Sequence, residues 1–249
     1  MLTQERYQTI LQLLNEKNSV TVSELTKLLN TSESTIRRDL ATLDEMGKLH
    51  KVFGGATSLR QTSGAFEDSV IMRENVMSEE KTAIAKYSAT LISDSDFVYI
   101  DAGTTTSRLI DYLGNNKATY VTNGISHAKK LIAKGFTTYT VGGRIKAATE
   151  AIVGGEAVRT LKGFNFTKAF MGTNGIDLEA GFTTPDIEEG LIKEEAVRKS
   201  YMAFVLADSS KFRRVFAITF SELRKCCIIT DRLKFKDFGK ETVIKEVMS

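Results

Sequence analysis

The apolar residues follow two different rhythms along the chain, and the change between them divides the sequence. Near the N-terminus the spacing is helical. Tyr7, Ile10, Leu11 and Leu14 recur every three or four positions, with Thr3 placed to cap them. Lys17-Asn18-Ser19 ends that run, and Val20-Thr21-Val22 reads as a short extended piece. Ser23 then heads a second short helix carrying Leu25, Leu28 and Leu29. Ser32 caps a third helix that runs to Met46, where Gly47 is a natural stop. The alternating segments Leu49–Phe53 and Ala56–Leu59 flank Gly54-Gly55 and predict a small hairpin.

Residues 60–78 are polar and without period, so they read as a linker. A helix opens at Ser78-Glu79-Glu80-Lys81, with Ile84, Tyr87, Ser88, Leu91 and Ile92 on one side. Beyond it, short β-like runs (FVYI, TYVT, TTYTV, KAFMG, AFVLA and CCIIT) alternate with amphipathic stretches such as Ser107–Leu113 and Ser126–Ala133. That alternation predicts an α/β fold with a mostly parallel sheet. The expected division is a helical domain over 1–58, a linker over 59–77 and an α/β domain over 78–249. No internal repeat or low-complexity segment interrupts it.

Composition changes this picture little. With 42% hydrophobic and 26% charged residues, the 249-residue chain can bury a core, and nothing in it reads as a long disordered tail. The net charge is only +3, and residues 1–57 hold seven Lys/Arg against seven Asp/Glu, so a nucleic-acid partner has to be argued from position. The N-terminal MLTQERYQ lacks the basic-then-apolar pattern of a leader, and no apolar run approaches the ~20 residues that span a bilayer. A cytoplasmic protein without membrane contact is expected. Cys226 and Cys227 are adjacent in a β-like run and point to opposite faces, which suits packing rather than a crosslink. His50 and His127 lack paired ligands, so neither a metal nor a cofactor is expected.

The third helix carries the first candidate chemistry. With Ile36 at zero and ~100° per residue, Leu40 and Leu43 fall within about 40° of it and form a buried stripe. Ser34, Arg38 and Ala41 face the other way, with Thr35 and Arg37 on the flanks. Short hydroxyls permit close approach, and arginine can fork onto guanine or phosphate. Ser32, Ser34, Thr35, Arg37 and Arg38 are therefore the candidate contacts of a helix lying in a major groove, through its first turns. The hairpin would be a wing, with Lys48, His50 and Lys51 near phosphates. An ordinary helical domain with a solvated charged face is the competing reading.

The spacing favours DNA. Arg6-x3-Ile10-x3-Leu14, seventeen residues, then Ser32-x2-Thr35-Ile36-Arg37-Arg38-Asp39-Leu40 resembles the helix-turn-helix of the DeoR family of bacterial regulators. Gly47 to Ala56 is similar to that family's G-x-L-x-R-x-H-G-G-A wing, with lysine at Lys51 for the usual arginine and Phe53 where histidine is common.

In the second half, Asp101-Ala102-Gly103-Thr104-Thr105-Thr106 links a strand to a helix. Such a turn points free N–H groups and a positive dipole outward, which is a cradle for phosphate. Thr122-Asn123-Gly124, Gly142-Gly143-Arg144, Gly172-Thr173-Asn174-Gly175 and Asp208-Ser209-Ser210-Lys211 follow later strands. Ligands of open α/β sheets bind outside the strands' carboxyl ends, so five polar loops there predict one sugar-phosphate pocket, with Arg144 or Lys211 as its cation.

This half resembles the DeoR sensor domain, similar in fold to ribose-5-phosphate isomerases, over about 78–231. The resemblance implies that Gly103, Thr104, Thr105, Thr106 and Lys211 hold the phosphate of the effector. It also implies that Asn123, Gly143 and Asn174 lie near the sugar, and Asp101 and Arg144 complete the candidate effector-binding set. Phe182 to Glu189 with Ile192-Lys193 looks like the fructose-operon repressors, which implies fructose 1-phosphate, with tagatose 6-phosphate of lactose-operon repressors next.

Two other classes compete. An isomerase needs a carboxylate base; the isomerases' paired aspartates are matched here by Met171 and Asn174, and asparagine is no base. Glu194 resembles an isomerase glutamate, and Asp101, Asp177, Asp186 and Glu188 remain available. A purely structural interaction module leaves Arg37, Arg38 and the loops unexplained. The expectation is a non-enzymatic repressor without catalytic residues. Its partners would be double-stranded operator DNA and a sugar phosphate, and it would act as a homodimer or homotetramer because symmetric half-sites multiply affinity.

Overall fold

The computed structural model describes residues 3–17, 19–58, 61–62 and 77–248. Most of the expected linker over 59–77, together with Asn18, lies outside the described residues. The chain divides into two compact units, Met1–Thr62 and Ser63–Ser249.

In the first unit the elements are α1 (Thr3–Lys17), β1 (Ser19–Thr21), α2 (Val22–Leu28), α3 (Glu33–Glu45), β2 (His50–Val52), β3 (Gly55–Thr57) and β4 (Gln61–Thr62). Ile10, Leu14, Val20, Leu25, Ile36, Leu40, Leu43 and Leu49 converge in one core. The expected stripe of α3 is therefore buried. Strands β1, β3 and β2 form an antiparallel sheet in that order. Gly55 makes this packing possible, since a Cβ there would lie 2.1 Å from the Val20 carbonyl. One boundary differs from expectation: Thr21, not Ser23, caps α2. Its hydroxyl accepts the Glu24 amide at 3.1 Å while the Glu24 carboxylate takes the Thr21 amide at 3.2 Å. This reciprocal cap satisfies two otherwise orphan donors, which Ser23 alone would not.

The second unit is built on seven parallel strands in the order β17-β16-β13-β10-β5-β6-β7. These are β5 (Phe97–Ile100), β6 (Thr119–Thr122), β7 (Thr137–Thr140), β10 (Phe166–Gly172), β13 (Ser200–Leu206), β16 (Cys227–Thr230) and β17 (Ile244–Glu246). All six β-like runs of the sequence supply one strand each. Alternation along the strands separates two cores. Tyr99, Val121, Met171, Val205 and Ile228 pack on one face, beneath α7 (Gly155–Lys162) and α8 (Ile187–Arg198). Val98, Ile100, Tyr120, Phe170, Phe204 and Ile229 pack on the other, beneath α4 (Ser78–Ala89), α5 (Thr104–Asp111) and α6 (Ile125–Ala133). The α4 helix ends at Ala89, so Leu91 and Ile92 reach that core from beyond it.

Smaller pieces decorate the rim. A hairpin pairs β8 (Arg144–Lys146) with β9 (Ala151–Val153). A three-stranded antiparallel sheet joins β11 (Gly175–Asp177), β12 (Gly181–Thr184) and β15 (Ile218–Ser221), and β14 (Arg214–Val215) is a short strand between Lys211 and β15. The strand order reverses between β5 and β10: from β5 the chain steps outward through β6 and β7, then returns to lay β10, β13, β16 and β17 on the other side. This reversal leaves a crevice at the strands' carboxyl ends.

Candidate DNA-contacting face and effector cleft

On α3, the cap Ser32 accepts the Thr35 amide at 3.3 Å, and its hydroxyl lies 2.9 Å from those of both Ser34 and Thr35. This hydroxyl cluster sits at the helix entrance, where free N–H groups attract a phosphate. Arg37 and Arg38 are exposed on the same helix. Glu33 loosely tethers Arg37 at 3.2 Å, an exposed contact of little energy, and Arg38 has no such tether among the described residues. Beside them, β2 and β3 form the hairpin. Lys51 is exposed and its amide is held by Asp44 at 3.0 Å, while His50 is half-buried. Phe53 stands fully out at the turn, with Val52 partly exposed beside it.

Behind this face lies a contact the sequence reading missed. Arg6 of α1 forks onto buried Asp39 of α3 at 2.7 and 3.1 Å, and holds the exposed arginines' helix against its neighbour. The signal was available: Asp39 stands three residues after Ile36, beside the buried stripe, where a carboxylate needs a partner.

In the second unit a polar cleft of about 530 Å³, counting its open mouth, sits at the reversal between β5 and β10. The loop after β5 lines it with Asp101, Gly103, Thr104 and Thr105. The loop after β10 adds Gly172, Thr173 and Asn174, and the turn after β13 adds Asp208 and Lys211. Three of the five expected loops thus converge. Gly103 starts α5 in an extended conformation, and Thr104 and Thr105, whose amides have no intrahelical acceptors, line the cleft. Asn174 is fixed by Thr184, whose hydroxyl donates to its side-chain oxygen at 3.1 Å.

The other two loops do not reach the cleft wall, and neither does Thr106. Its hydroxyl turns inward and donates to the Asp101 carbonyl at 2.6 Å. Asn123 is buried behind the first loop, where its side-chain oxygen accepts the Ala102 amide at 2.9 Å and the Tyr99 hydroxyl at 3.0 Å. Gly143 lies where the β8–β9 hairpin begins, with a left-handed φ of 140° and no room for a Cβ, which would stand 2.5 Å from the Val153 carbonyl. Arg144 is exposed and pairs with Glu188. The hairpin explains the difference: it seals the ends of β6 and β7 through the Gly124–Ala151 bridge and the Ile152 amide on the Asn123 carbonyl at 2.6 Å.

Three charged residues of the cleft come from helices rather than from the expected loops: Lys81 from α4, and Glu189 and Lys193 from α8. Lys193, 5% exposed, ion-pairs with Asp101, 2% exposed, and donates to the Gly172 carbonyl at 3.1 Å. The Gly172 amide in turn donates to Asp101 at 2.9 Å. Glu189 is neutralised by Lys146 at 2.9 Å. Glu194 points away from the cleft, exposed on the opposite side of α8. The spacing of Glu189 and Lys193, one turn apart, was the overlooked signal. Asp186 caps α8 by accepting the Glu189 amide at 2.9 Å, and this bond with the Lys146 contact holds its carboxyl below the usual range against the opposing effect of burial.

His127 of α6 lies beneath the first loop. Burial pushes its imidazole down from 6.5 to about 4, against the pull of Asp101 and of the Gly103 contact. Cys226 is buried, which raises its thiol to about 11, and both cysteines are free. Among the described residues no group of His, Cys, Asp and Glu could hold a metal ion, and no helix is long and apolar enough to cross a membrane.

Known proteins match this arrangement along nearly the whole chain. The family model described as "DeoR-like helix-turn-helix domain" matches residues 6–62, and "DeoR C terminal sensor domain" matches 76–232. The "Uncharacterized HTH-type transcriptional regulator FruR" of Bacillus subtilis is 41% identical over 251 residues, covering 99% of each chain. The "Lactose phosphotransferase system repressor" of Staphylococcus epidermidis is 33% identical over 252 residues, covering 98% of each. Among solved structures, ribose 5-phosphate isomerase A from Methanocaldococcus jannaschii superposes over 54% of each chain, with 15% identity and a TM-score of 0.41.

Proposed function

Because this chain belongs to the DeoR family of helix-turn-helix transcriptional regulators, we propose that it represses a sugar-utilisation operon and leaves its operator when a sugar phosphate fills the cleft. Its family and relatives are DNA-binding regulators, not enzymes. The observation that carries the effector reading is the convergence of the first amides of α5 with Lys81, Lys193 and Lys211 on one cleft. Amide donors at a helix start and ammonium groups are what a phosphate dianion needs. Thr173, Asn174 and the carboxylates of Asp101 and Glu189 offer partners for sugar hydroxyls.

The DNA reading rests on the first turns of α3. Ser32, Ser34, Thr35, Arg37 and Arg38 face the major groove, with His50 and Lys51 of the wing on adjacent backbone. The protein acts as a homodimer or homotetramer, since two half-sites supply the contacts that one short helix cannot. Fructose 1-phosphate is the effector we favour, on the likeness of Phe182–Lys193 to fructose-operon repressors; tagatose 6-phosphate is next. Effector and operator affinities are coupled only as far as the sugar phosphate binds the two states of the protein unequally.

Fluorescence anisotropy of labelled promoter DNA, at fixed salt and with a panel of sugar phosphates, tests both halves. Release by fructose 1-phosphate alone is the expected result. Release by another sugar phosphate would reassign the effector, and a complex indifferent to all of them would sink the cleft's proposed role.

A further inference from the structure

The buried imidazole of His127 sits under the turn that opens α5, although it comes from the neighbouring strand–helix unit. Its Nε2 lies 3.1 Å from the Gly103 carbonyl, 3.2 Å from Thr106 Oγ1 and 3.4 Å from the Gly103 amide. Its Nδ1 lies 3.4 Å from the Ser126 hydroxyl. The shorter contacts place the proton. Thr106 has one hydroxyl hydrogen, and its shortest contact, 2.6 Å, is to the Asp101 carbonyl. The nearest partner of Nε2 is a carbonyl, which can only accept. In the tautomer that satisfies it, Nε2 carries the hydrogen and shares it between the Gly103 carbonyl and Thr106 Oγ1, and Nδ1 accepts from Ser126; the longer approach of the Gly103 amide, which would need a bare Nε2, is then a contact without a hydrogen bond.

This bond reaches the cleft through the peptide plane. In a trans peptide the carbonyl of one residue and the amide of the next point in opposite directions. Holding the Gly103 carbonyl inward, where the Ser107 amide also reaches it at 2.8 Å, turns the Thr104 amide outward, and Thr104 lines the cleft. The fold makes room for the ring. At Gly124 a Cβ would lie 2.7 Å from Nδ1, although its backbone φ of −97° is one any residue adopts. The absent side chain at Gly124 is thus the space the imidazole occupies.

We propose that His127 is a positioning residue for anion binding: through the Gly103 carbonyl it sets the Thr104 amide toward the phosphate of the effector, without touching the ligand. The inference rests on the effector reading given above. It assigns a function to a side chain that would otherwise be one more satisfied group in the core.

The test uses the full-length protein, with inorganic phosphate and fructose 1-phosphate as probes in isothermal titration, and operator affinity measured without either. His127→Leu should weaken both probes by about tenfold, the order of one lost hydrogen bond, and leave operator affinity unchanged. His127→Gln, which can present a donor in place of Nε2–H, should recover most of the loss; a merely space-filling role predicts that leucine does at least as well as glutamine. Gly124→Ala displaces the ring without removing it and should reproduce the leucine phenotype, which keeps the test alive if the leucine variant folds poorly. Wild-type affinity for both probes in His127→Leu and Gly124→Ala would overturn the proposal. If the wild-type protein binds operator but neither probe, the effector reading itself fails and the positioning role falls with it.

Discussion

Replacing Lys193 by methionine isolates the charge that Asp101 depends on, because methionine keeps much of the stem's bulk and removes only the ammonium. In the wild-type protein both groups are almost wholly buried, with side chains 6% and 2% exposed. Once the lysine is gone, Asp101 retains the Gly172 amide at 2.9 Å and loses the ammonium paired with it. Removing one partner of a buried pair costs about 3–5 kcal/mol, and the surviving amide bond places this case near 3 kcal/mol. Urea unfolding followed by tyrosine emission suits the measurement, since six of the seven tyrosines lie beyond residue 62 and there is no tryptophan. At a slope of roughly 2–3 kcal/mol per molar urea, the midpoint should fall by about 1 M. The double variant Lys193→Met, Asp101→Asn should recover part of that loss, because the neutral amide still accepts from Gly172. A drop below about 1 kcal/mol, or strict additivity of the two single changes, would refute the claim that the pair is a coupled buried unit.

Other consequences are quicker to test. The folded imidazole of His127 binds its proton at about 4 rather than 6.5, so the unfolded chain holds more protons in that interval and stability falls as pH drops from 6.5 to 4. That difference corresponds to about 3 kcal/mol, and subtracting the pH–stability profile of His127→Leu from that of the wild type should reveal it; parallel profiles would contradict the burial. Arg38→Ala should weaken operator binding at least tenfold at fixed salt and leave effector affinity alone, measured by anisotropy, with unchanged binding arguing against the assignment of α3. Lys211→Ala should bind operator normally and respond to no sugar phosphate, so a normal response would remove Lys211 from the site. Gly55→Ala forces a Cβ onto the Val20 carbonyl and should both lower the melting temperature of the N-terminal unit and abolish operator binding.

Six of the seven strands of the large sheet were legible because they are short β-prone runs set off by polar turns, and the central ones, buried on both faces, are near-continuously apolar. The α3 stripe was legible from Ile36, Leu40 and Leu43 alone. Elements without a periodic signature escaped. Strand β17 carries Lys245 and Glu246 at a sheet edge, and β11 and β12 are short and begin at Gly175 and Gly181, whose missing side chains answer to close backbone contacts elsewhere in the fold. The cleft was half legible for a related reason. Loops that follow strands can be found in one dimension, but which of them meet depends on strand order, and only the reversal at β5 and β10 decides that Asn174 arrives while Gly143 does not. Helix residues such as Lys81 and Lys193 looked like any solvated lysine, since nothing local says that a helix face will border a crevice.

The cleft draws its wall from both helical layers: α4 and α5 belong to one core, α8 to the other, and the sheet stands between them. A molecule lodged there works like a clasp across the open end of a book whose covers are those layers. Rim residues such as Thr104, Thr173 and Asn174 can be exchanged without repacking either cover, whereas the buried Lys193–Asp101 pair serves the fold and the cleft at once. That division leaves such a scaffold free to acquire a new signal by a few substitutions at its rim, around a fixed charged floor.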